Sequence, residues 1–273
     1  MISLAMYQVD AFTDRVFHGN PAAVLVLDEA LSDAQMLAIA EENNLAETAF
    51  VVRPAVEGGA FDLRWFTPVH EAAFCGHATL AAAHVLATQH GAKGEMVFET
   101  RQVGILRVQR EGDDAYTLDL PRFDPAPLEP IPSVFAELFP NGWRAAFRNF
   151  ENLFVELGDE AEVRAYKPDN LRIASLFPFG LAITAKGENA MRNGVDFVLR
   201  YFAPGAGIPE DPVTGSTHST LAPYWAKRLG RTSLVAVQAS RRGGTLKCLV
   251  ASERVFLKGH AATYMRAALA TAP

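Results

Sequence analysis

Cysteine is nearly absent from this sequence, which contains only Cys75 and Cys248 in 273 residues. The two are far apart, and neither belongs to a closely spaced pair of the kind that binds zinc or cycles between thiol and disulfide. A secreted protein of this size more often uses several cysteines. We therefore expect a chain that works in the reducing cytoplasm.

Long apolar runs and an excess of positive charge are also missing. No run approaches the roughly 18 apolar residues that a membrane-spanning helix needs, and the first ten residues lack the basic segment of a signal peptide. The formal net charge is −6, and no basic stripe could neutralise phosphates. We expect neither a membrane nor a nucleic acid as a partner. Hydrophobic residues make up 49 % of the chain, which is typical of a globular protein with a real core.

The sequence repeats itself at about half its length. Three segments recur in the same order 136, 139 and 140 residues later. They are Arg64-Trp65-Phe66-Thr67-Pro68 with Arg200-Tyr201-Phe202-Ala203-Pro204, Gly76-His77-Ala78-Thr79-Leu80 with Gly215-Ser216-Thr217-His218-Ser219, and the stretches that begin at Thr100 and Ser240. Two repeats are too few for a solenoid, so the pattern predicts a pseudo-twofold pair of domains.

A proline-rich segment marks the boundary between the halves. Residues 121–132 contain five prolines and can form neither a helix nor a central strand. We expect an N-terminal half over 1–123 and a C-terminal half over 124–273.

Each half combines short strands with one buried helix. The stretch near 77–90 is apolar on nearly every side, which is typical of a helix covered all round, and its counterpart lies near 216–229. A flat sheet covers only one face of a helix, so the strands must twist and wrap. The predicted fold class is α+β, with two pseudo-symmetric domains, each a β-barrel-like sheet around a central helix.

Both central helices begin beside a glycine, Gly76 or Gly215. The first N–H groups of a helix lack internal partners and carry positive potential, so two such starts could bind a carboxylate. The simpler alternative is that the glycines only turn the chain.

Glu47 enters an apolar strand, where it either faces solvent or is withdrawn from water and becomes an acid–base group.

Six motifs together resemble the PhzF family of phenazine-biosynthesis-like proteins, which have the diaminopimelate-epimerase-like fold. The motifs are Val9-Asp10-Ala11-Phe12-Thr13, Gly19-Asn20-Pro21-Ala22-Ala23-Val24, Glu47-Thr48-Ala49-Phe50, Arg64-Trp65-Phe66-Thr67-Pro68, Cys75-Gly76-His77-Ala78-Thr79 and Glu210-Asp211-Pro212-Val213-Thr214-Gly215-Ser216. The resemblance covers nearly the whole chain, from Val9 to about Gly259.

The resemblance implies a homodimer without cofactor or metal, acting on a small-molecule carboxylate between its halves. The characterised phenazine enzymes isomerise dihydro-hydroxyanthranilic acid by moving a proton along a conjugated system. Carried over to this sequence, Glu47 is the general acid–base, and His77, Asp211 and Ser216 are the other catalytic groups. Four residues are implied to bind substrate: Asn20, Gly76, Gly215 and His218.

Other functions fit the residues less well. Amino-acid epimerases of this architecture use two cysteines, but the repeat places Thr214 opposite Cys75 and Ser216 opposite His77. No second acidic cluster completes a metal site with His70 and His77, and no Gly-Xaa-Ser-Xaa-Gly elbow supports a serine hydrolase. A non-catalytic module that binds a small molecule or a protein on the same fold stays open as the alternative to an isomerase.

Overall fold

The chain folds into two compact units, which are described separately. The computed structural model describes residues 4–56, 58–112, 114–188 and 194–270. Unit 1 comprises Met1–Asp119 and Lys258–Pro273, and unit 2 comprises Leu120–Leu257. The first change of unit lies within a few residues of the expected boundary at 123/124.

The assignment of the last residues to the second half was wrong. The C-terminal strand pairs antiparallel with the first strand, from Leu4 opposite Leu269 to Ala11 opposite Ala261. The ladder of backbone hydrogen bonds along this pairing ties residues 258–270 to the N-terminal half. Neither the internal repeat nor the proline-rich segment indicates that the C-terminal strand pairs with the N-terminal half.

The described residues of the N-terminal part form eight strands and two helices. In chain order they are β1 (Leu4–Ala11), β2 (Asn20–Leu27), α1 (Asp33–Asn43), β3 (Glu47–Val52), β4 (Phe61–Phe66), β5 (Glu71–Ala72), α2 (Gly76–Gln89), β6 (Glu95–Thr100), β7 (Gly104–Arg110) and β8 (Ala115–Pro121). Ser32 caps α1, because its hydroxyl accepts a hydrogen bond from the Gln35 amide.

In the described part of the remaining chain there are nine strands and four helices, besides a short 3₁₀ turn at Pro204–Ala206. They are β9 (Ala126–Pro127), α3 (Phe135–Leu138), β10 (Ala145–Arg148), β11 (Asn152–Glu156), α4 (Glu160–Ala165), α5 (Asn170–Ala174), β12 (Gly180–Lys186), β13 (Phe197–Ala203), β14 (Ile208–Asp211), α6 (His218–Leu229), β15 (Ser233–Gln238), β16 (Gly244–Val250) and β17 (Arg254–Leu269). Among the described residues, no helix is long and apolar enough to cross a membrane.

The two units use the same order of strand pairings. In unit 1, β2 runs parallel to β3, β3 antiparallel to β4, β4 antiparallel to β5 and parallel to β6, and β6 antiparallel to β7. In unit 2, β11 to β16 repeat this order strand for strand. The internal duplication expected from the sequence is therefore present in the backbone.

The central helix of unit 1 is buried along almost its whole length, and that of unit 2 is buried over its first part. In α2 every residue from Gly76 to Ala87 is buried, and the helix packs against β1, β2, β3 and β7. Helix α6 packs against β15 and β16 and begins at His218, two residues later than expected. Residues 215–220 form tighter turns first, in which the amides of His218, Ser219 and Thr220 each donate to the carbonyl three residues before.

An arginine–glutamate pair is repeated in the two units. Arg64 donates from Nε and Nη2 to both carboxylate oxygens of Glu71, at 2.7 Å each. Arg200 donates in the same way to Glu210, at 2.7 and 3.0 Å. Both arginines are buried, and planar two-point pairing of this kind fixes geometry as well as charge. Each pair therefore anchors the loop that leads to its central helix.

We predict that Arg64→Lys lowers the free energy of unfolding by about 1–3 kcal/mol, because an ammonium group cannot donate two parallel hydrogen bonds to Glu71. Urea unfolding measures this change. The matched control is Arg107→Lys, since Arg107 pairs with Glu95 at 2.9 Å on the surface. We expect the control to change stability by less than about 0.5 kcal/mol. Equal losses in both variants would contradict the anchoring role of Arg64.

Candidate active site

Four polar or thiol side chains meet inside unit 1, at the starts of two strands and one helix. Asn20 opens β2 and Glu47 opens β3, and the parallel pairing sets Ala22 beside Glu47. Cys75 is the residue before α2, and His77 is the second residue of that helix. Three of the four, Asn20, Glu47 and His77, are residues that the sequence analysis named as site residues.

The imidazole of His77 is the centre of this group. Its Nε2 lies 3.2 Å from Glu47 Oε2, and its Nδ1 lies 3.1 Å from the Asn20 amide and 3.4 Å from Cys75 Sγ. Exposure is 9 % for Glu47 and 3 % for His77. The Glu47 side chain is thus withdrawn from water, which was one of its two expected fates.

The protonation of the group follows from its neighbours. Burial acts to lower the pKa of His77, but Cys75 and Glu47 act against it and raise that pKa well above its usual value. Burial raises the pKa of Cys75 to about 11, so the sulfur is a neutral thiol near neutral pH. The raised pKa favours the protonated ring of His77 beside Glu47.

A second polar group lies inside unit 2, around the turn before α6. Asp211 ends β14 and accepts a hydrogen bond from the Thr214 hydroxyl. Gln238, at the end of β15, accepts from the Thr214 amide at 2.7 Å and donates to the Asp211 carbonyl at 2.7 Å. Gln238 is fully buried, so it fixes the loop on which Asp211 and Thr214 lie.

The other predicted residues of unit 2 lie in the same turn. Gly215 is buried and Ser216 is partly exposed. His218 is fully buried and packs on Phe197, with its ring 5.9 Å from the phenylalanine ring. Its Nδ1 contacts the Thr214 carbonyl at 3.0 Å. Burial lowers the pKa of His218 to about 4, so this ring is neutral.

The strand register shows which residue of unit 2 corresponds to Glu47. Glu47 precedes Thr48, which pairs with Phe66; Gly180 precedes Leu181, which pairs with Phe202. Gly180 therefore occupies the position of Glu47. A Cβ there would lie 2.0 Å from the Tyr201 hydroxyl, which donates to Asn152 at 2.8 Å. Unit 2 has no room for a carboxylate at this position.

Only some residues of these two polar groups could be predicted from the sequence. Glu47, His77 and Asp211 were predicted, because they lie in recognisable motifs. Gln238 was missed, because a glutamine at a strand end has no local signature, and its place just before the repeated turn at Ser240 was the one available hint. The approach of Cys75 to His77 was missed as well. Together with Glu47, these two residues place three potential metal-ligand atoms within 4.8 Å of one another.

Comparisons with known proteins decide the family. The model of the family described as phenazine biosynthesis-like protein matches residues 9–267. The chain belongs to the PhzF family. It is 46 % identical to a Pseudomonas aeruginosa protein named an uncharacterized isomerase, over 95 % of this chain and 96 % of that protein. This agrees with the sequence-based resemblance and with the expected isomerase class.

Solved structures confirm the predicted fold. A PhzF-family protein from Enterococcus faecalis, 41 % identical, matches with a TM-score of 0.90 over 99 % of this chain and 100 % of that chain. A hydroxyproline epimerase from Agrobacterium vitis, solved with trans-4-hydroxy-L-proline, matches with a TM-score of 0.61 over 98 % and 92 %. That protein is 10 % identical, so the second likeness shows the fold alone.

The neutral state of His218 predicts a pH dependence of stability for this PhzF-family chain. The native ring keeps its low pKa, of about 4, whereas the unfolded ring binds a proton below about pH 6.5. The contribution of His218 to stability is therefore complete above about pH 6.5 and is lost as the pH falls toward 4. Between about pH 7.5 and about pH 5, the native protein should lose about 2 kcal/mol more stability than His218→Gln.

Urea unfolding of both proteins at the two pH values measures this difference. His77 and His84 are unchanged in the variant, so their contributions cancel in the comparison. Parallel pH profiles of the two proteins would show that His218 does not hold a depressed pKa.

Proposed function

We propose that this chain is a cofactor-independent isomerase that moves a proton on a small carboxylic or amino acid with a cyclic or conjugated skeleton. The observation that carries the proposal is the buried contact of Glu47 with His77 at 3.2 Å. A carboxylate withdrawn from water and placed beside a cation is a base with a fixed position. We propose further that both polar groups act on one substrate.

In the proposed reaction, the Glu47 carboxylate removes a proton from a carbon of the substrate. The remaining electron pair is delocalised over the conjugated system and the substrate carboxylate. Glu47, now a neutral acid, returns the proton at another carbon. One group can carry out both transfers when they occur on the same face of the substrate.

His77 provides the charge that this step requires. Before the transfer, its positive charge is balanced by Glu47. Once Glu47 is neutral, the imidazolium charge is balanced instead by the negative charge that has appeared on the substrate. A charge fixed in place before the reaction stabilises such an intermediate without reorganisation.

The group in unit 2 suits substrate binding rather than proton abstraction. Asp211 already accepts a hydrogen bond from Thr214, and Gln238 fixes the same loop. Ser216 is the partly exposed residue of the turn, and its hydroxyl can donate to a carboxylate. With Gly180 at the position of Glu47, the two units do not offer a symmetric pair of carboxylate bases, which argues against inversion of a stereocentre by two equivalent groups.

We predict that Glu47→Gln lowers the rate of proton transfer by about 10²–10⁴-fold, because the amide cannot accept the proton. The assay follows deuterium from D₂O into dihydro-hydroxyanthranilic acid, and into a panel of cyclic and conjugated amino acids, by NMR. Ligand affinity, measured by thermal shift or calorimetry, should change only a few-fold.

The control is Glu42→Gln, which removes an exposed carboxylate from α1 and should leave exchange unchanged. Wild-type exchange in Glu47→Gln would show that the assigned base is wrong. Tight binding with no deuterium incorporation by the native protein would favour the binding-module alternative.

Ser216→Ala should separate binding from chemistry. Loss of one hydrogen bond to the substrate carboxylate costs about 0.5–1.5 kcal/mol, or roughly 2–12-fold in affinity. Because this hydroxyl does not carry the proton, exchange at saturating ligand should stay within about twofold of wild type, with KM raised. Ser133→Ala, at an exposed position, serves as the control. A large fall in exchange at saturation would instead assign Ser216 to the proton path.

A further inference from the structure

Three chemically different donor atoms converge around the second residue of α2. Glu47 Oε2 lies 3.2 Å from His77 Nε2, and Cys75 Sγ lies 4.0 Å from the same nitrogen. The ligand atoms of all three residues lie within 4.8 Å of one another, and all three residues are buried. The donors come from a strand start and a helix start, 28 residues or more apart in the sequence.

These separations are close to those around a tetrahedral zinc ion. Zinc binds nitrogen and oxygen at about 2.0–2.2 Å and sulfur at about 2.3 Å, so neighbouring ligand atoms lie roughly 3.3–3.6 Å apart. The nitrogen–oxygen separation already has this size. The sulfur must move by about half an ångström toward Nε2, which a small rotation of the cysteine side chain provides.

Glu47 Oε2 has capacity for a ligand. Within the part of the chain that the structure describes, this buried oxygen accepts no hydrogen bond, although His77 Nε2 lies 3.2 Å away. The oxygen keeps lone pairs that can bind a metal ion once the proton between it and Nε2 is released.

The donor set selects the kind of ion. Thiolate and imidazole favour zinc and similar thiophilic ions, whereas magnesium and calcium require several oxygen donors. Three protein ligands leave a fourth position open for water or for a carboxylate. The cluster contains one carboxylate, Glu47, and therefore does not fit an oxygen-only site.

We propose that Glu47, Cys75 and His77 form a binding site for one Zn²⁺ or similar thiophilic divalent cation, and that the bound ion inhibits the enzyme. Metal binding uses the carboxylate oxygen and the imidazole nitrogen that face each other, and it releases the protons of the Cys75 thiol and of His77 Nε2 to solvent. Glu47, bound to the ion, can then no longer accept a proton. The inhibitory effect rests on the function proposed above, whereas the binding of the ion does not.

The binding arm uses the full-length, tag-free protein titrated with Co²⁺, a spectroscopic substitute for zinc. A near-ultraviolet thiolate-to-cobalt band should appear and saturate at one ion per chain, and Zn²⁺ should displace it. Cys75→Ser should lose the band. Its Zn²⁺ affinity should fall by more than the roughly 10–100-fold that is typical when a residue next to a metal ligand, rather than a ligand itself, is replaced. Cys248→Ser removes the other buried thiol and should behave like wild type. Mg²⁺ should produce no change.

The inhibition arm measures deuterium exchange with Zn²⁺ and after chelation by EDTA. In the wild type, Zn²⁺ should abolish deuterium exchange, and EDTA should restore it. In Cys75→Ser, the same Zn²⁺ concentration should not change the rate of exchange. No thiolate band in the wild type, or equal zinc affinity in Cys75→Ser, would overturn the site. Should no exchange be detectable without metal, the proposed function fails, and the cobalt titration still decides the site.

Discussion

The burial of an apolar helix on every side is the constraint from which the rest of this structure follows. Helix α2 has no solvent-facing stripe, so the strands of unit 1 must surround it, and each unit meets this demand with the same order of strand pairings. A surrounded helix begins inside the protein. Polar residues at its first turn are therefore buried and must be satisfied by neighbouring elements, which is how His77 comes to contact Glu47, Asn20 and Cys75.

Duplication supplied one scaffold, and the two copies now carry different chemistry. The Arg64–Glu71 and Arg200–Glu210 pairs keep the same geometry, because each holds the loop before its central helix. The positions beyond these anchors have diverged. Where unit 1 has Glu47, unit 2 has Gly180 beneath the Tyr201 hydroxyl. Where unit 2 has Asp211 opposite Tyr201, unit 1 has Ala72 opposite Trp65. Anchors are conserved between the copies because they determine the fold, whereas positions next to the site are free to specialise.

The features on which the proposed basicity of Glu47 rests also suit it to bind a metal ion. A buried carboxylate that faces an imidazole nitrogen across 3.2 Å can bind either a proton or a metal ion. Cys75 distinguishes the two cases: its thiol, with a pKa of about 11, is inert toward the proton chemistry near neutral pH, yet it completes a set of donors for a thiophilic ion. An acid–base site with this composition would be sensitive to zinc as a direct consequence of its geometry.

Local periodicity and short motifs were enough to predict the duplication, most strands, both central helices and the PhzF family, since these depend on residues close together in the chain. The choice of Glu47 as the base came from the same motifs and stays a prediction. The tertiary structure decided what depends on distant pairings. It returned the C-terminal strand to β1, set Gly180 at the position of Glu47, placed Gln238 under the Asp211 loop and brought Cys75 to the Glu47–His77 pair. A pattern of alternating or helical residues fixes which faces are apolar, but not which strand lies beside which. That choice is made by backbone hydrogen bonds and packing between segments far apart in the sequence.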